Sequence, residues 1–146
     1  MTEVATLEDA ISIAAEAHRG QRDKAGAPYL LHPLRLMLRM DSEAAMAAAV
    51  LHDVVEDSGC TLERLRERGF SEEVVEAVAC LTHRDGESYE EFVERLKANP
   101  LARRVKIADL EDNMNMLRIG QLGPKDLRRL EKYHRAWRVL KRYEGD

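Results

Sequence analysis

Apolar residues recur at helical spacing along most of the chain, and no stretch alternates convincingly enough to read as a strand. Leu7, Ile11, Ala14 and His18 keep that period and predict a first helix from Thr6 to His18. Thr6 caps it, with Asp9 three residues on as capping-box partner. Gly20, Gly26 and Pro28 then mark a loop, and Pro33 opens a helix to Met40 with His32 at its cap. The stretch Ala44 to Ser58 differs. Its first two turns carry Ala, Met, Val and Leu on every side, the pattern of a buried helix, with Asp41 or Ser42 as cap and Ser58-Gly59 as its end. Thr61 caps Leu62 to Arg68, and Gly69 stops that helix. Ser71 caps a helix whose apolar face is Val74, Val75, Val78 and Leu81. Ser88 caps one holding Tyr89, Phe92, Val93 and Leu96, which Asn99-Pro100 ends. Leu101, Val105 and Ala108 form the buried stripe of a helix reaching about Ile119. Pro124 starts the last helix, to about Tyr143, with Leu127, Leu130, His134, Trp137 and Leu140 on one stripe. An all-α fold is expected.

Composition agrees: aromatics are few, while Ala, Leu, Glu and Arg are many. A chain of 146 residues suits a single domain, and residues 1–146 show no repeat or low-complexity segment that would divide it. The net charge of −4 provides no basic field for nucleic acid, so no nucleic-acid partner is expected. No apolar run approaches the roughly 20 residues that span a bilayer, and the N-terminus lacks an export pattern. No membrane partner is expected, and the cytoplasm is the expected location. Cys60 and Cys80, the only cysteines, form no Cys-x-x-Cys pair and suit a reduced compartment.

The chemistry begins where the central apolar helix turns polar. His52, Asp53, Glu56 and Asp57 share one broad face, with Val54 and Val55 opposite. Three carboxylates near a helix C-terminus and near the core are costly, and a divalent cation would compensate them. Asp109 and Asn113, four apart, stack beside the buried stripe of a later helix, with Asp112 close by. His32 stands at a helix entrance. Arg19, Arg22 and Lys24 make the glycine-containing loop basic, fit either for phosphate oxygens or for a solvated connector. Arg129 and Tyr133 share a side of the last helix. Two imidazoles with two carboxylates suit manganese, iron or zinc better than calcium; the spacing is too wide for a zinc finger.

A His, a His-Asp doublet and a distant Asp, all on helices, resemble the HD phosphohydrolase superfamily. The similarity is closest to its alarmone-hydrolase branch, which comprises the hydrolase domain of Rel/Spo-type proteins and the small alarmone hydrolases. The segments that carry it are Ala17-His-Arg-Gly-Gln, Gly26-Ala-Pro-Tyr-Leu-Leu-His-Pro33, Ala49-Val-Leu-His-Asp-Val-Val-Glu-Asp57 and Val105-Lys-Ile-Ala-Asp-Leu-Glu-Asp-Asn-Met114. The resemblance implies a compact HD-type bundle of about seven to eight helices. It implies His32, His52, Asp53 and Asp109 as ligands of a metal, typically Mn2+. It makes Glu56 and Asp57 the acid pair that positions or deprotonates the attacking water. Lys24, Asn113, Arg129 and Tyr133 fall where that branch contacts phosphates and sugar. The implied reaction removes the 3′-pyrophosphate of guanosine tetra- or pentaphosphate. Two positions depart from the pattern: Asp23 stands where the branch has a base-contacting arginine, and Leu110 replaces a basic residue. Asp23 keeps a second reading open, the same hydrolysis on an adenine alarmone, NADPH or a nucleoside phosphate. A third is a metal-stabilised module that binds nucleotide without turnover, against which the intact Glu56 and Asp57 argue.

Overall fold

A computed structural model describes residues 3–145. Their secondary structure is helical, in nine α-helices: α1 (Leu7–Ala17), α2 (Leu31–Leu38), α3 (Glu43–Leu51), α4 (Val54–Asp57), α5 (Leu62–Glu67), α6 (Glu72–Cys80), α7 (Tyr89–Leu96), α8 (Pro100–Asn113) and α9 (Pro124–Tyr143). A 3-10 turn, Met116–Arg118, follows α8. The only strand-like pairing among the described residues is an isolated bridge between Arg22 and Pro28. The expected all-α bundle is therefore the observed one.

Most of the starts follow the capping residues. Thr6 and Asp9 form a capping box on α1, and Ser88 and Glu91 form one on α7. The side chains of Ser42, Thr61, Ser71 and Asn99 each accept from the backbone N–H three residues on. Such a cap stabilises a helix by about 1 kcal/mol.

Three boundaries differ from the expected ones. First, α2 begins at Leu31, with Leu30 as an N-cap that makes no side-chain bond. His32 therefore lies inside the first turn rather than at the cap, and Pro33 remains where a helical N–H would be unpaired anyway. Second, the central helix breaks at His52-Asp53 into α3 and α4. His52 Nδ1 lies 2.8 Å from the carbonyl of Ala49, the acceptor that the Asp53 N–H would use in an unbroken helix. Third, α8 stops at Asn113; the Asn115 side chain then accepts from the Leu117 N–H and starts the 3-10 turn.

The core forms around α3. Ala45, Ala48, Ala49, Val50 and Leu51 have no exposure at all. One apolar cluster joins α3 to α2, α8 and α9 through Leu36, Val105, Leu110 and Leu140. The other joins it to α1, α5 and α6 through Ala10, Ala14, Leu65, Val75 and Val78. Alanines on several sides of α3 let its neighbours approach closely, so the helix that carries the His-Asp doublet is held from all around. In α9 the buried face includes Ala136 and Leu140, while Leu127 is 52 % exposed and His134 points outward. The expected stripe is thus rotated, because Tyr133 and Ala136 rather than Leu127 and His134 pack on the core. Among the described residues no helix is long and apolar enough to cross a membrane, and Cys60 and Cys80 are free thiols.

Gly69 closes α5 with φ +96, and a Cβ built there would lie 2.0 Å from the Glu3 carbonyl oxygen. Its own carbonyl accepts from the Ala5 N–H. Gly69→Ala is expected to lower stability by about 1–3 kcal/mol, read as a shift in the urea midpoint. An unshifted midpoint would contradict both the left-handed backbone at Gly69 and the docking of the N-terminal segment on this turn.

Candidate active site

Helix α2 supplies His32, the α3–α4 break supplies His52 and Asp53, and α8 supplies Asp109. Ligand atoms of His32, His52 and Asp109 all lie within 4.8 Å of one another. His32 Nε2 is 2.8 Å from Asp109 Oδ1, and His52 Nε2 is 3.5 Å from the same oxygen and 3.1 Å from Asp53 Oδ2. His32, His52 and Asp109 are only 5 %, 3 % and 5 % exposed, so their charges and lone pairs have little water to answer them. His32, His52 and Asp109 are thus brought together by elements that are far apart along the chain, and Asp53 meets them through His52.

The outer contacts orient these groups. His52 Nδ1–H donates to the Ala49 carbonyl, which turns Nε2 inward; Nε2 is buried with no hydrogen-bond partner among the described residues. His32 Nδ1 lies 2.6 Å from Asp112 Oδ2. Arg35 holds Asp112 through two bonds of 2.8 and 2.9 Å. With each Nδ1–H so engaged, both Nε2 lone pairs converge on the Asp53 and Asp109 carboxylates. A carboxylate behind one inward nitrogen, Asp112 at His32, and a backbone carbonyl behind the other, Ala49 at His52, are both usual partners of metal-binding histidines. The donor set and the orphaned Nε2 fit a divalent metal ion. Without one, burial pushes both imidazoles toward neutrality, but the carboxylates outweigh it and hold each pKa above its ordinary value. Burial likewise works against Asp53 and Asp109 being charged. The His52 charge outweighs it at Asp53, held at about 2, and Lys106 and the two imidazoles outweigh it at Asp109, held well below the carboxylate range. Metal binding to such a cluster displaces protons.

Further side chains complete the shell. Tyr29 Oη donates to Asp53 Oδ2, and burial with the Asp53 charge raises its pKa, so it stays a donor. Lys106 Nζ lies 2.9 Å from Asp109 Oδ2, and Asn113 Nδ2 donates to Asp109 Oδ1 at 3.1 Å. Tyr29, Lys106, Asp112 and Arg35 had no role in the sequence reading. Each of the four stands three residues from a candidate ligand, on the same helix or at its entrance, and that spacing is the available signal. Asp112→Asn should weaken metal binding about 10–100-fold, by loosening the grip on His32. Competition with a metal-binding dye measures this; wild-type affinity in the variant would rule out the positioning role.

A cavity flanks the cluster on each side. The first, about 310 Å³, is lined by Gln21, Asp23, Lys24, Tyr29, Asn113, Arg129 and Tyr133 among others. It unites the residues expected at phosphates and sugar. The second, about 430 Å³, is lined by His52, Asp53, Glu56, His83, Tyr89, Phe92, Lys106 and Lys132 among others. The acid pair divides between two directions, as adjacent helical residues do. Glu56 borders the second cavity and accepts from the His83 N–H, and burial raises its pKa. Asp57 turns toward Gln21, whose Nε2 donates to it at 3.4 Å, and toward the buried His18, 3.9 Å away. Arg95 fixes the loop that presents His83: it donates to the Thr82 carbonyl at 2.9 Å and pairs with Glu87 at 2.7 Å. Asp23 Oδ1 accepts from the Ala25 and Ala27 N–H groups, which folds the basic loop over the first cavity.

A family model described as HD domain matches residues 10–114, and the chain belongs to that family. Among its relatives is a guanosine-3′,5′-bis(diphosphate) 3′-pyrophosphohydrolase of Haemophilus influenzae, 38 % identical over 82 % of this chain and 20 % of that protein. One of the same name from Aquifex aeolicus is 32 % identical over 76 % of this chain and 18 % of its own length. The bifunctional (p)ppGpp synthase/hydrolase SpoT of Escherichia coli is 29 % identical over 89 % of this chain and 20 % of that protein. The chain therefore spans about a fifth of the length of these relatives. A solved structure described as a metazoan ortholog of SpoT that hydrolyzes ppGpp has the same fold. Its TM-score is 0.74 at 24 % identity, covering 99 % of this chain and 89 % of that one.

Proposed function

We propose that this chain is a single HD-type hydrolase unit, acting in the cytoplasm with manganese, that removes the 3′-diphosphate of guanosine 3′,5′-bis(diphosphate) as pyrophosphate. The observation that carries this reading is the buried His32, His52 and Asp109 cluster, with the half-buried Asp53 against His52, near a cavity lined by Lys24 and Arg129 and one lined by Glu56. The names of the relatives support the substrate.

His32, His52, Asp53 and Asp109 would hold the metal. Once bound, it supplies Lewis acidity at phosphoryl oxygens and makes water a better nucleophile near neutral pH. Glu56, whose pKa is raised by burial, takes the proton of the attacking water. Asp57 braces Gln21, a wall of the first cavity, and so ties the acid pair to the bound nucleotide. Lys24 and Arg129 neutralise substrate phosphates, and Asn113 and Tyr133 border the sugar. Tyr29 and Asp112 keep Asp53 and His32 aimed inward.

Asp23 favours a second reading, in which the same chemistry acts on a different nucleotide, because its carboxylate replaces the arginine that would stack on or contact guanine. Incubating the protein and manganese with guanosine 3′,5′-bis(diphosphate), its adenosine counterpart and NADPH separates these readings. Pyrophosphate released fastest from the guanosine compound is the expected result. Faster turnover of either other nucleotide would overturn the guanine assignment, and binding without turnover of any would make the chain a nucleotide-binding module.

A further inference from the structure

The cavity on the Glu56 side is lined by two donors, Tyr89 and Lys132, that make no hydrogen bond or ion pair among the described residues. Tyr89, the first residue of α7, buries its hydroxyl with no hydrogen-bond partner among the described residues. Lys132, on α9, sits over the Tyr89 ring, with Nζ 4.2 Å from the ring centroid, and beside that of Tyr133 at 6.0 Å. The lysines that form ion pairs among the described residues are Lys97, with Glu94, and Lys106, with Asp109. Of the two lysines that line this cavity, Lys132 is therefore the one without an ion pair among the described residues, its ammonium held only over aromatic rings. An unpaired ammonium next to an orphaned hydroxyl suits an anion with several oxygens.

The reaction proposed above, on which this inference rests, assigns that anion. Water adds to the 3′ phosphorus, the bond from phosphorus to the 3′ oxygen breaks, the proton of water passes to Glu56, and the 3′ oxygen takes a proton from solvent. In-line displacement places the entering and leaving oxygens on opposite sides of phosphorus. Glu56 opens into the 430 Å³ cavity, whereas Lys24, Asn113, Arg129 and Tyr133 line the other. The nucleoside and its departing oxygen then face the first cavity and the entering water faces the second; the bridge to the terminal phosphate is equatorial to that axis, and the second cavity, with its two donors, is the space that suits it. We propose that Lys132 and Tyr89 bind the terminal phosphate of the 3′-diphosphate, and of the pyrophosphate released, and thereby select a 3′-diphosphate over a 3′-monophosphate.

Calorimetric titration of inorganic pyrophosphate into protein carrying one equivalent of manganese, with no free metal, reads the subsite directly. The ratio of kcat/KM for guanosine substrates bearing a 3′-diphosphate or a 3′-monophosphate reads its selectivity. Lys132→Met should weaken pyrophosphate about tenfold and lower that ratio about tenfold, the effect of one charge-assisted hydrogen bond. Tyr89→Phe should weaken both several-fold with an equal or higher Tm, since it removes a buried unpaired hydroxyl. Lys132→Arg should retain most of the selectivity, and Lys125→Met, on the exposed start of α9, should change neither quantity. Wild-type affinity and ratio in both Lys132→Met and Tyr89→Phe would overturn the proposal. A wild-type protein that releases no pyrophosphate from the 3′-diphosphate would sink the functional reading alone. The subsite would then stand if Lys132→Met still lost pyrophosphate affinity, and fall if it did not.

Discussion

Glu56→Gln is expected to lower kcat by about 10²–10⁴-fold with little change in nucleotide affinity or Tm. The amide keeps the volume of the side chain and its acceptor for the His83 N–H, but it cannot take a proton from water. Asp57→Asn should cost less, because its carboxylate is turned toward Gln21 and His18 and an amide oxygen can still accept from Gln21. The double variant should bind nucleotide without turnover. Single-turnover kinetics alongside equilibrium binding separates the two effects, and substantial turnover in the double variant would remove the acid pair from the chemistry.

The second large effect concerns stability. His32, His52 and Asp109 are almost fully buried, and His52 Nε2 has no hydrogen-bond partner among the described residues, so a bound cation stabilises the folded chain more than the unfolded one. At a metal concentration a hundredfold above Kd this linkage contributes about 2.7 kcal/mol. For a chain of this size, that corresponds to roughly 5–10 °C in Tm. Chelator should lower the melting temperature by that amount, and manganese should restore it. A melt indifferent to chelator would mean that Lys106 and the protonated imidazoles balance the buried carboxylates unaided.

The candidate ligands were legible in the sequence because a polar residue at a core-facing helical position is expensive, and His52, Asp53 and Asp109 stand among alanines, valines and leucines. Helix starts were legible for a local reason: Thr6, Ser42, Ser71 and Ser88 each cap a helix with a bond three residues away. The break at His52-Asp53 was not, because it depends on an imidazole competing with a backbone N–H for one carbonyl, and helical periodicity carries no trace of that. The buried face of α9 was misread for a related reason. Leu127 and His134 fit a helical stripe as well as Tyr133 and Ala136 do, and only packing against the rest of the bundle decides between them. The grouping of Tyr89 and Lys132 with Glu56 was equally hidden, since it arises where residues of α4, α7 and α9 border one cavity.

An anomalous difference map from crystals grown with Mn2+ tests the shared metal centre most directly. One strong peak per chain is expected, with His32 Nε2, His52 Nε2 and carboxylate oxygens of Asp53 and Asp109 within about 2.0–2.4 Å of it. A fully occupied manganese elsewhere in the chain, or a peak that leaves any two of these four side chains outside its coordination sphere, would contradict it.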